Sequence, residues 1–96
     1  MPCYCYMLEC ADGSFYTGWT TDPVRRTKAH NAGRGARYTR SRRPVRLVFV
    51  ELEETRSAAM KRERNIKTMP RSIKQRLIED VKHDLDQFTE FQLGSD

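Results

Sequence analysis

The sequence has no long apolar run, and this absence excludes a membrane-spanning protein. With cysteine and tyrosine set aside, its longest uninterrupted apolar stretch covers residues 47–50, whereas a helix that crosses a bilayer needs about 20 such residues. The N terminus also lacks a basic segment followed by an apolar one, which is the pattern of a secretory signal. The three cysteines are an odd number, so reduced thiols are expected rather than a disulfide framework. We therefore predict a cytoplasmic protein with no membrane partner.

The chain is too short for two domains. Its 96 residues fit one compact domain with a single core, and the sequence contains no internal repeat or low-complexity segment. We expect residues 1–82 to form this domain. Residues 83–96 are expected to form an acidic C-terminal extension that is partly helical or frayed, with fraying over residues 92–96.

Acidic residues are missing from two long basic stretches. Residues 25–46 contain nine Arg or Lys and no Asp or Glu, and residues 56–76 contain eight Arg or Lys and one acid, Glu63. The net charge is +5, while residues 79–96 are mainly acidic. This separation predicts a polyanion-binding surface, with nucleic acid as the leading ligand. The alternative is a solvated charged surface whose bases pair with the acidic tail.

Two strands joined by a hairpin are predicted at the start of the chain. Residues 3–9 and 14–20 are rich in aromatic and β-branched residues, which favour strands, and an Asp-Gly turn signal lies between them. The loop has two residues, or three with Gly13 in the left-handed conformation. A three-residue loop places Tyr6 and Tyr16 on one face of the hairpin, whereas a two-residue loop places them on opposite faces.

The rest of the chain combines helices with one further strand. Asp22 followed by Pro23 is typical of a helix start. The predicted elements are a helix over about residues 23–32, a basic loop over residues 34–43, a strand over residues 45–52, and helices over residues 55–68 and 70–82. The order β-β-α-β-α-α predicts an α+β fold in which the first strand lies between the other two, antiparallel to both.

Glu63 is the most informative single residue. Helical spacing places it between Ala59 and Ile66, within the apolar stripe of its helix, and it is the only acid in its basic stretch. A carboxylate in such a place is stable when it is paired or holds a metal. The ordinary alternative is an ion pair with Lys67, which lies four residues further along the same helix.

Arg26 and His30 are four residues apart in the first predicted helix and so share one of its faces. An arginine side chain suits a phosphate and can stabilise the extra negative charge of phosphoryl transfer. A histidine can move a proton near neutral pH. The alternative is that both belong to a solvated helix face.

The tyrosines and cysteines each have an ordinary interpretation. Aromatic residues of strands usually fill the core. Cys3, Cys5 and Cys10 together with His30 offer donor atoms for zinc, but their spacing lacks the usual knuckle pattern. Buried thiols are therefore expected in place of a zinc site.

The order of these signals is more specific than any one of them. They are Tyr4-Cys5-Tyr6 in the first strand, Tyr16-Thr17-Gly18 in the second, Arg26 and His30 in the first helix, and Glu63 in the second helix. As a set they resemble the GIY-YIG nuclease domain over about residues 3–80, and in particular its small stand-alone bacterial members. The first tripeptide departs from the family name, with Tyr4 in place of Gly and Cys5 in place of Ile, and the second has Thr17 in place of Ile.

The resemblance implies the GIY-YIG fold, in which a three-stranded antiparallel sheet of order 2-1-3 is flanked by helices. It also implies a metal-dependent endonuclease that hydrolyses phosphodiester bonds in DNA, with RNA still open as a substrate. Such an enzyme would select nucleic acid structures and serve repair or recombination. A monomer is expected, with a targeting protein partner left open.

The resemblance assigns a role to each of five residues. Tyr6 is the general base or positions the attacking water, and Tyr16 helps to hold the water or the phosphate. Arg26 stabilises the transition state, and His30 supports proton transfer or phosphate binding. Glu63 holds one Mg²⁺ or Mn²⁺ ion. Both tyrosines must face one pocket, so the three-residue hairpin loop is predicted.

The basic loop is expected to grip the phosphate backbone without reading bases. Gly18 would let the backbone of the nucleic acid come close. The predicted contacts with nucleic acid are Gly18, Arg34, Arg37, Tyr38, Thr39, Arg40, Arg42, Arg43 and Lys67. Two competing functions stay open: a non-catalytic nucleic-acid-binding module on the same fold, and a scaffold that associates through its oppositely charged segments.

Overall fold

Eight secondary-structure elements make up the described part of the chain. In the computed structural model of the protein, the backbone is described for residues 1–94 and the side chains for residues 1–89. The elements are β1 (Cys3–Glu9), β2 (Phe15–Thr20), α1 (Pro23–Asn31), α2 (Arg37–Arg40), β3 (Arg46–Glu53), α3 (Arg56–Lys67), α4 (Arg71–Asp80) and α5 (Lys82–Gly94).

The three strands form one sheet of order β2-β1-β3, and β1 is antiparallel to both of its neighbours. The predicted α+β fold and strand order are therefore confirmed. Because side chains alternate along a strand, β1 contributes to both faces of the sheet. We call one the tyrosine face, which carries Tyr6, Leu8 and Tyr16, and the other the apolar face, which carries Cys5, Met7 and Phe49.

The hairpin between β1 and β2 has the predicted three-residue loop. Its strands pair Leu8 with Tyr16 and Tyr6 with Gly18, and the Cys10 amide donates to the carbonyl oxygen of Ser14 at 2.8 Å. Gly13 has a φ of 84°, a left-handed conformation that glycine adopts without steric cost. The loop length therefore places both tyrosines on one face, as the family resemblance predicted.

The apolar face is covered by α3 and α4. Ile66 of α3 packs with Cys5, Met7 and Phe49 in a cluster of buried residues, and Leu77 of α4 packs at its edge. Thr55 caps α3 as predicted, because its hydroxyl accepts from the amide of Ala58 at 3.0 Å. This face supplies the apolar core of the domain.

Helix α1 crosses the tyrosine face and is held at both ends. The side chain of Asp22 accepts from the amide of Arg25 at 3.1 Å, which is the predicted N-cap. At the other end, Asn31 donates to the carbonyl of Val45 at 2.8 Å and accepts from its amide at 2.7 Å. These two bonds tie the end of α1 to the start of β3. They thereby help to fix the position of His30, the residue directly before Asn31.

The predicted basic loop over residues 34–43 is wrong in part, because it contains the short helix α2. No side-chain cap starts this helix at Ala36. Arginine side chains just beyond its end hold it instead: Arg42 donates to the carbonyl of Tyr38 at 2.8 Å, and Arg43 donates to the carbonyl of Arg40 at 2.8 Å. Such contacts leave no periodic pattern in a sequence.

The last predicted helix is divided into α4 and α5 at Val81. Leu85 of α5 is buried, and the ring of Phe88 lies 5.6 Å from that of Tyr4, so the start of the acidic extension packs on the sheet. Of the stretch predicted to fray, residues 92–94 belong to α5, and residues 95–96 lie outside the described part of the chain. The boundary between residues 82 and 83 stays a prediction. Within residues 1–94, no helix has the length and apolar character that a bilayer crossing needs.

Candidate active site

Three aromatic side chains meet on the tyrosine face. Tyr6 projects from the central strand, Tyr16 from β2 and His30 from α1. Their ring centroids are 6.4 Å apart for Tyr6 and Tyr16, 6.0 Å for Tyr6 and His30, and 5.1 Å for Tyr16 and His30. The structure thus brings together three of the five residues that were predicted to be catalytic.

A chain of buried hydrogen bonds runs through this cluster. Tyr6 Oη lies 2.8 Å from His30 Nε2, and His30 Nδ1 lies 2.7 Å from Thr39 Oγ1. The Thr39 hydroxyl then donates to the carbonyl of Ala36 at 3.1 Å. All three side chains are almost completely buried. Both nitrogens of His30 are engaged, so of its two predicted roles the geometry allows proton transfer and not direct phosphate binding.

Thr39 is therefore a correction to the predicted set of nucleic acid contacts. Its side chain has no exposed surface, because its hydroxyl is turned inward to His30 and to the carbonyl of Ala36. A buried hydroxyl cannot reach a phosphate in solvent. The residue supports the imidazole instead.

Two glycines allow the cluster to pack closely. A Cβ on Gly18 would lie 2.8 Å from Tyr6 Oη, and a Cβ on Gly35 would lie 2.1 Å from His30 Nδ1. Gly18 is buried, so the predicted phosphate approach is corrected: the missing side chain makes room for Tyr6. Gly35 was not predicted, since neither a positive φ nor a turn motif marks it.

Arg26 lies at the edge of the cluster and is partly buried. Its guanidinium donates to the carbonyl of Gly35 at 3.3 Å. Burial, together with the positive charge of Arg26, lowers the pKa of His30 from 6.5 to about 4. Burial raises the pKa of Tyr6 above its ordinary value, while Arg26 opposes this rise. The imidazole is therefore neutral near pH 7, and the phenol keeps its proton until further positive charge arrives.

Glu63 lies in the apolar stripe of its helix and also forms the ion pair with Lys67. It lies on α3 between the fully buried Ala59 and Ile66, and its carboxylate pairs with Lys67 at 3.7 Å. Its negative charge raises the pKa of Tyr16, after the larger effect of burial, and contributes to the raised pKa of Tyr6. The side chain is 21% exposed. Glu63 is thus close enough to affect the tyrosines and open enough to bind a ligand.

The described cysteines do not form a zinc site, whereas Glu63 offers a single partly exposed carboxylate. Among the residues whose side chains are described, no group of three or more His, Cys, Asp or Glu could hold a metal. The zinc alternative is therefore wrong: Cys5 is a free thiol on the apolar face, whereas Cys10 packs on the tyrosine face. A single carboxylate suits Mg²⁺ or Mn²⁺, which keep several water ligands and bind phosphate oxygens.

Two of the predicted phosphate-binding arginines contact the protein itself. Arg42 pairs with Asp12 at 3.1 Å and lies over the ring of Tyr38, with 3.9 Å between the guanidinium carbon and the ring centroid. Arg43 donates to the carbonyls of Arg40 and Asn31 at 2.8 and 3.3 Å. These guanidinium groups help to hold α2 in place, and because both side chains keep exposed surface, their contact with nucleic acid stays a prediction.

The remaining basic side chains of this segment are exposed. Within the described side chains, Arg34, Arg37 and Arg40 make no side-chain hydrogen bond or ion pair. Arg37 and Arg40 line an open groove of about 640 Å³ together with Tyr38. The ring of Tyr38 is stacked on Tyr16 with 6.2 Å between centroids. Tyr38 therefore lines the basic groove and also contacts the aromatic cluster through Tyr16.

Known proteins match most of the chain. Residues 2–76 match the family model described as the GIY-YIG catalytic domain. Two relatives are UPF0213 proteins: the one from Haloquadratum walsbyi is 56% identical over 77 residues (80% of this chain, 86% of the relative), and one from Staphylococcus aureus is 51% identical over 77 residues (80% and 94%). The solution NMR structure of a UPF0213 protein from Bacillus halodurans has 42% identity and a TM-score of 0.57, covering 94% of this chain and 96% of that chain.

Proposed function

This chain belongs to the GIY-YIG catalytic-domain family, and from that premise we propose that it is a metal-dependent endonuclease that hydrolyses phosphodiester bonds in DNA. One observation carries the proposal. Tyr6, Tyr16 and His30 converge on one face of the sheet, beside the guanidinium of Arg26 and within the electrostatic influence of Glu63. A simple binding module would not need a carboxylate near a buried and a half-buried tyrosine on a basic protein.

The cluster has the groups that water attack on a phosphate requires. Tyr6 would take a proton from the attacking water as its own proton passes to Nε2 of His30, 2.8 Å away. The water oxygen would form the new bond to phosphorus, and the 3′ oxygen would leave with the electron pair of the broken bond and be protonated by solvent. The products would be a 5′-phosphate and a 3′-hydroxyl.

Charge on the reacting phosphate would be stabilised from two sides. Arg26 is partly buried next to Tyr6 and would bind the phosphate oxygens, where its charge is worth more than in open water. Glu63 would hold one Mg²⁺ or Mn²⁺ ion, whose charge would offset the negative charge that develops on those oxygens. Lys67 would then have to exchange its present ion pair with Glu63 for a contact with DNA.

DNA would reach the cluster along the basic groove. Arg34, Arg37 and Arg40 are exposed, and phosphate contacts of this kind position a nucleic acid without reading its sequence. We therefore propose that binding is salt-sensitive, that it depends little on sequence, and that the protein selects DNA by structure in repair or recombination. We further propose that the protein acts in the cytoplasm as a monomer that a protein partner delivers to its substrate. RNA is the competing substrate.

A cleavage assay with matched charge variants tests the proposal. Labelled single-stranded, duplex, flap and branched DNA, and single-stranded RNA, are incubated with the protein in Mg²⁺, Mn²⁺ or chelator. We expect metal-dependent cleavage of at least one DNA substrate, and its loss in Glu63→Gln with DNA binding retained. Glu54→Gln is the control, because Glu54 is exposed before α3 and its replacement removes the same charge.

Two other outcomes would contradict the proposal. Binding to every substrate without cleavage in either metal would support the non-catalytic binding module. A salt-dependent oligomer in gel filtration, without affinity for nucleic acid, would support the scaffold.

The role of Glu63 is tested separately. Equal loss of cleavage in both glutamate variants would show that Glu63 has no special role.

A further inference from the structure

A chain of hydrogen bonds links Tyr6, His30, Thr39 and the carbonyl of Ala36. Which group donates in each bond follows from the last acceptor, the Ala36 carbonyl. The carbonyl oxygen of Ala36 only accepts, so the Thr39 hydroxyl donates to it across 3.1 Å. That hydroxyl has a single hydrogen, so its oxygen accepts from Nδ1 of His30, 2.7 Å away. A neutral imidazole with its proton on Nδ1 has a bare Nε2, which then accepts from the Tyr6 hydroxyl at 2.8 Å.

We propose that Thr39 is a positioning residue that holds the proton of His30 on Nδ1 and thereby reserves Nε2 as the acceptor for the proton of Tyr6. Thr39 is nine residues from His30 and lies on a different helix. Its catalytic meaning rests on the proposed nuclease function, because only a reaction that draws a proton through Tyr6 uses this direction. The tautomer itself is a property of the free protein.

The opposite direction of the chain would leave the hydroxyl hydrogen of Tyr6 without a partner. If Nε2 of His30 carried the proton, Thr39 would have to donate to Nδ1, and the carbonyl of Ala36 would keep only the backbone amide of Arg40 as its donor. The hydroxyl hydrogen of Tyr6 would lose its acceptor, since His30 is the only acceptor bonded to Tyr6 Oη within the described residues and the neighbouring guanidinium of Arg26 can only donate. In the observed arrangement, none of the described buried side-chain nitrogen and oxygen atoms lacks a partner.

The packing around the imidazole prevents an exchange of its two nitrogens by rotation. The ring lies so close to Gly35 that a Cβ there would stand 2.1 Å from Nδ1. The rings of Tyr6 and Tyr16 lie on its other sides, and Arg26 binds the carbonyl of Gly35 at 3.3 Å. The position of the proton is therefore set by Thr39 and not by a flip of the ring.

The direction matters during the proton transfer that the proposed function assigns to Tyr6. The bond from the water oxygen to hydrogen breaks as Tyr6 Oη gains that proton, and the original phenol proton forms a new bond to Nε2 of His30. The resulting imidazolium keeps its Nδ1 proton, which is already bound to Thr39. One proton has moved from water to His30, and no group has to rotate.

Nitrogen-15 NMR of histidine-labelled protein measures the tautomer directly. The sequence has two histidines, and His83 is exposed on α5, so a His83→Gln variant assigns both. At pH 7 we expect Nδ1 of His30 to carry the proton and Nε2 to be bare. In Thr39→Val the signal should shift toward the other tautomer or a mixture, whereas Thr39→Ser should keep the original tautomer.

Kinetics give a second readout that a loss of packing would not reproduce. In Thr39→Val we expect kcat to fall roughly 10- to 100-fold, the range seen when a partner that orients a functional imidazole is removed, with KM unchanged. Thr39→Ser should restore kcat. The control is Thr27→Val, because the Thr27 hydroxyl donates to the carbonyl of Pro23 within α1 and lies outside the buried chain.

The proposal is overturned if His30 carries its proton on Nε2 in the unmodified protein, or if Thr39→Val leaves both the tautomer and kcat unchanged. Should Thr39→Val fail to fold, the spectra of the unmodified protein and of Thr39→Ser still decide between the two tautomers. A protein that cuts no substrate would refute the nuclease function alone, since the NMR measurement needs no activity.

Discussion

The two faces of the sheet share the central strand but are held by different forces. On the apolar face, Cys5, Met7 and Phe49 pack against Ile66 in a cluster of buried side chains. On the tyrosine face, the neighbouring residue of the same strand, Tyr6, belongs to a chain of hydrogen bonds with His30. Side chains alternate between the two faces along β1, so neighbouring residues of this one strand belong to an apolar core on one side and a hydrogen-bonded cluster on the other.

The difference between the two faces indicates which one contributes mainly to stability and which one mainly to chemistry. Apolar contacts have no direction and add roughly with buried area, so the apolar face should tolerate substitutions that keep its volume. Hydrogen bonds require that each donor meets an acceptor, so a single exchanged atom changes the whole chain on the tyrosine face. We expect substitutions on the two faces to separate activity from stability.

The largest expected effect is on activity, from Tyr6→Phe. Removing the hydroxyl abolishes the proton acceptor for water and should lower the cleavage rate by at least about 100-fold. The free energy of unfolding should fall by about 1–3 kcal/mol, because Nε2 of His30 loses its donor. Single-turnover cleavage and urea unfolding measure the two quantities.

The matched control for this substitution is Tyr4→Phe. Tyr4 lies two residues earlier in β1, is half-buried, and has its ring beside that of Phe88. It should retain the cleavage rate. If both variants lose activity to the same extent, the hydroxyl of Tyr6 has no chemical role, and the contrast between the faces reduces to packing.

A substitution on the other face should reverse the pattern. Phe49 is fully buried, and Phe49→Ala should lower the free energy of unfolding by about 3–5 kcal/mol through lost burial and a cavity. Cleavage per folded molecule should stay the same. Phe49→Leu, with an expected loss of about 1 kcal/mol, provides a folded variant if the first is too unstable. A drop in activity per folded molecule greater than tenfold would mean that the faces are coupled.

The pH dependence of stability should also differ between the faces. Burial and Arg26 lower the pKa of His30 from 6.5 to about 4, so the unfolded chain binds a proton before the folded one does. His30 should therefore contribute nothing to the pH dependence above pH 6.5, and the unfolding free energy should fall by roughly 2–3 kcal/mol as the pH drops from 6.5 to 4.

Glu53, at the rim of the apolar face, should act in the opposite direction. Burial, and the neighbouring carboxylate of Glu51, raise its pKa from 4.5 to about 7, so its contribution is fully present below pH 4.5 and is lost as the pH rises through 7. The effect should be smaller because the side chain is partly exposed to solvent. Unfolding curves of His30→Gln and Glu53→Gln, each subtracted from the unmodified protein, should have slopes of opposite sign. Slopes of the same sign would refute the assignment.

The smallest expected effect concerns the exposed arginines of the groove. Arg40→Ala should weaken DNA binding a few-fold and reduce the slope of log affinity against log salt by about 1, as the loss of one phosphate contact does. Arg46→Ala is the control, because Arg46 pairs with Glu9 at 2.6 Å outside the groove. Equal effects of the two variants would show that binding depends on total charge and not on the groove.

Some parts of the site could be predicted from single residues and their spacing. The Asp-Gly signal predicted the hairpin and left two loop lengths open, and the family resemblance selected the three-residue loop that places Tyr6 and Tyr16 on one face. Helical spacing put Glu63 between two buried residues. These inferences rest on backbone geometry over a few residues, where the side-chain period is nearly independent of the rest of the fold.

Other parts could not be predicted in this way. Thr39 and Arg42 were expected to bind phosphate because their sequence neighbours are basic, yet one supports His30 and the other braces α2. Gly35 carried no signal, since its role is the space that it leaves for the ring of His30. Each of these roles depends on which distant atom lies opposite, and that is decided by how α1, α2 and the sheet come together.

The sequence by itself determined the three strands, the position of the turn, the caps at Asp22 and Thr55 and the strand order, because local sterics and hydrophobic periodicity act over a few residues. It also determined which residue types could perform phosphodiester chemistry. Only the tertiary structure decided that His30 is buried with both nitrogens engaged. The physical reason is that the direction of a hydrogen bond depends on both its donor and its acceptor. In this chain of bonds the donors and acceptors come from β1, α1, α2 and the residue before α2, which only the tertiary structure brings together.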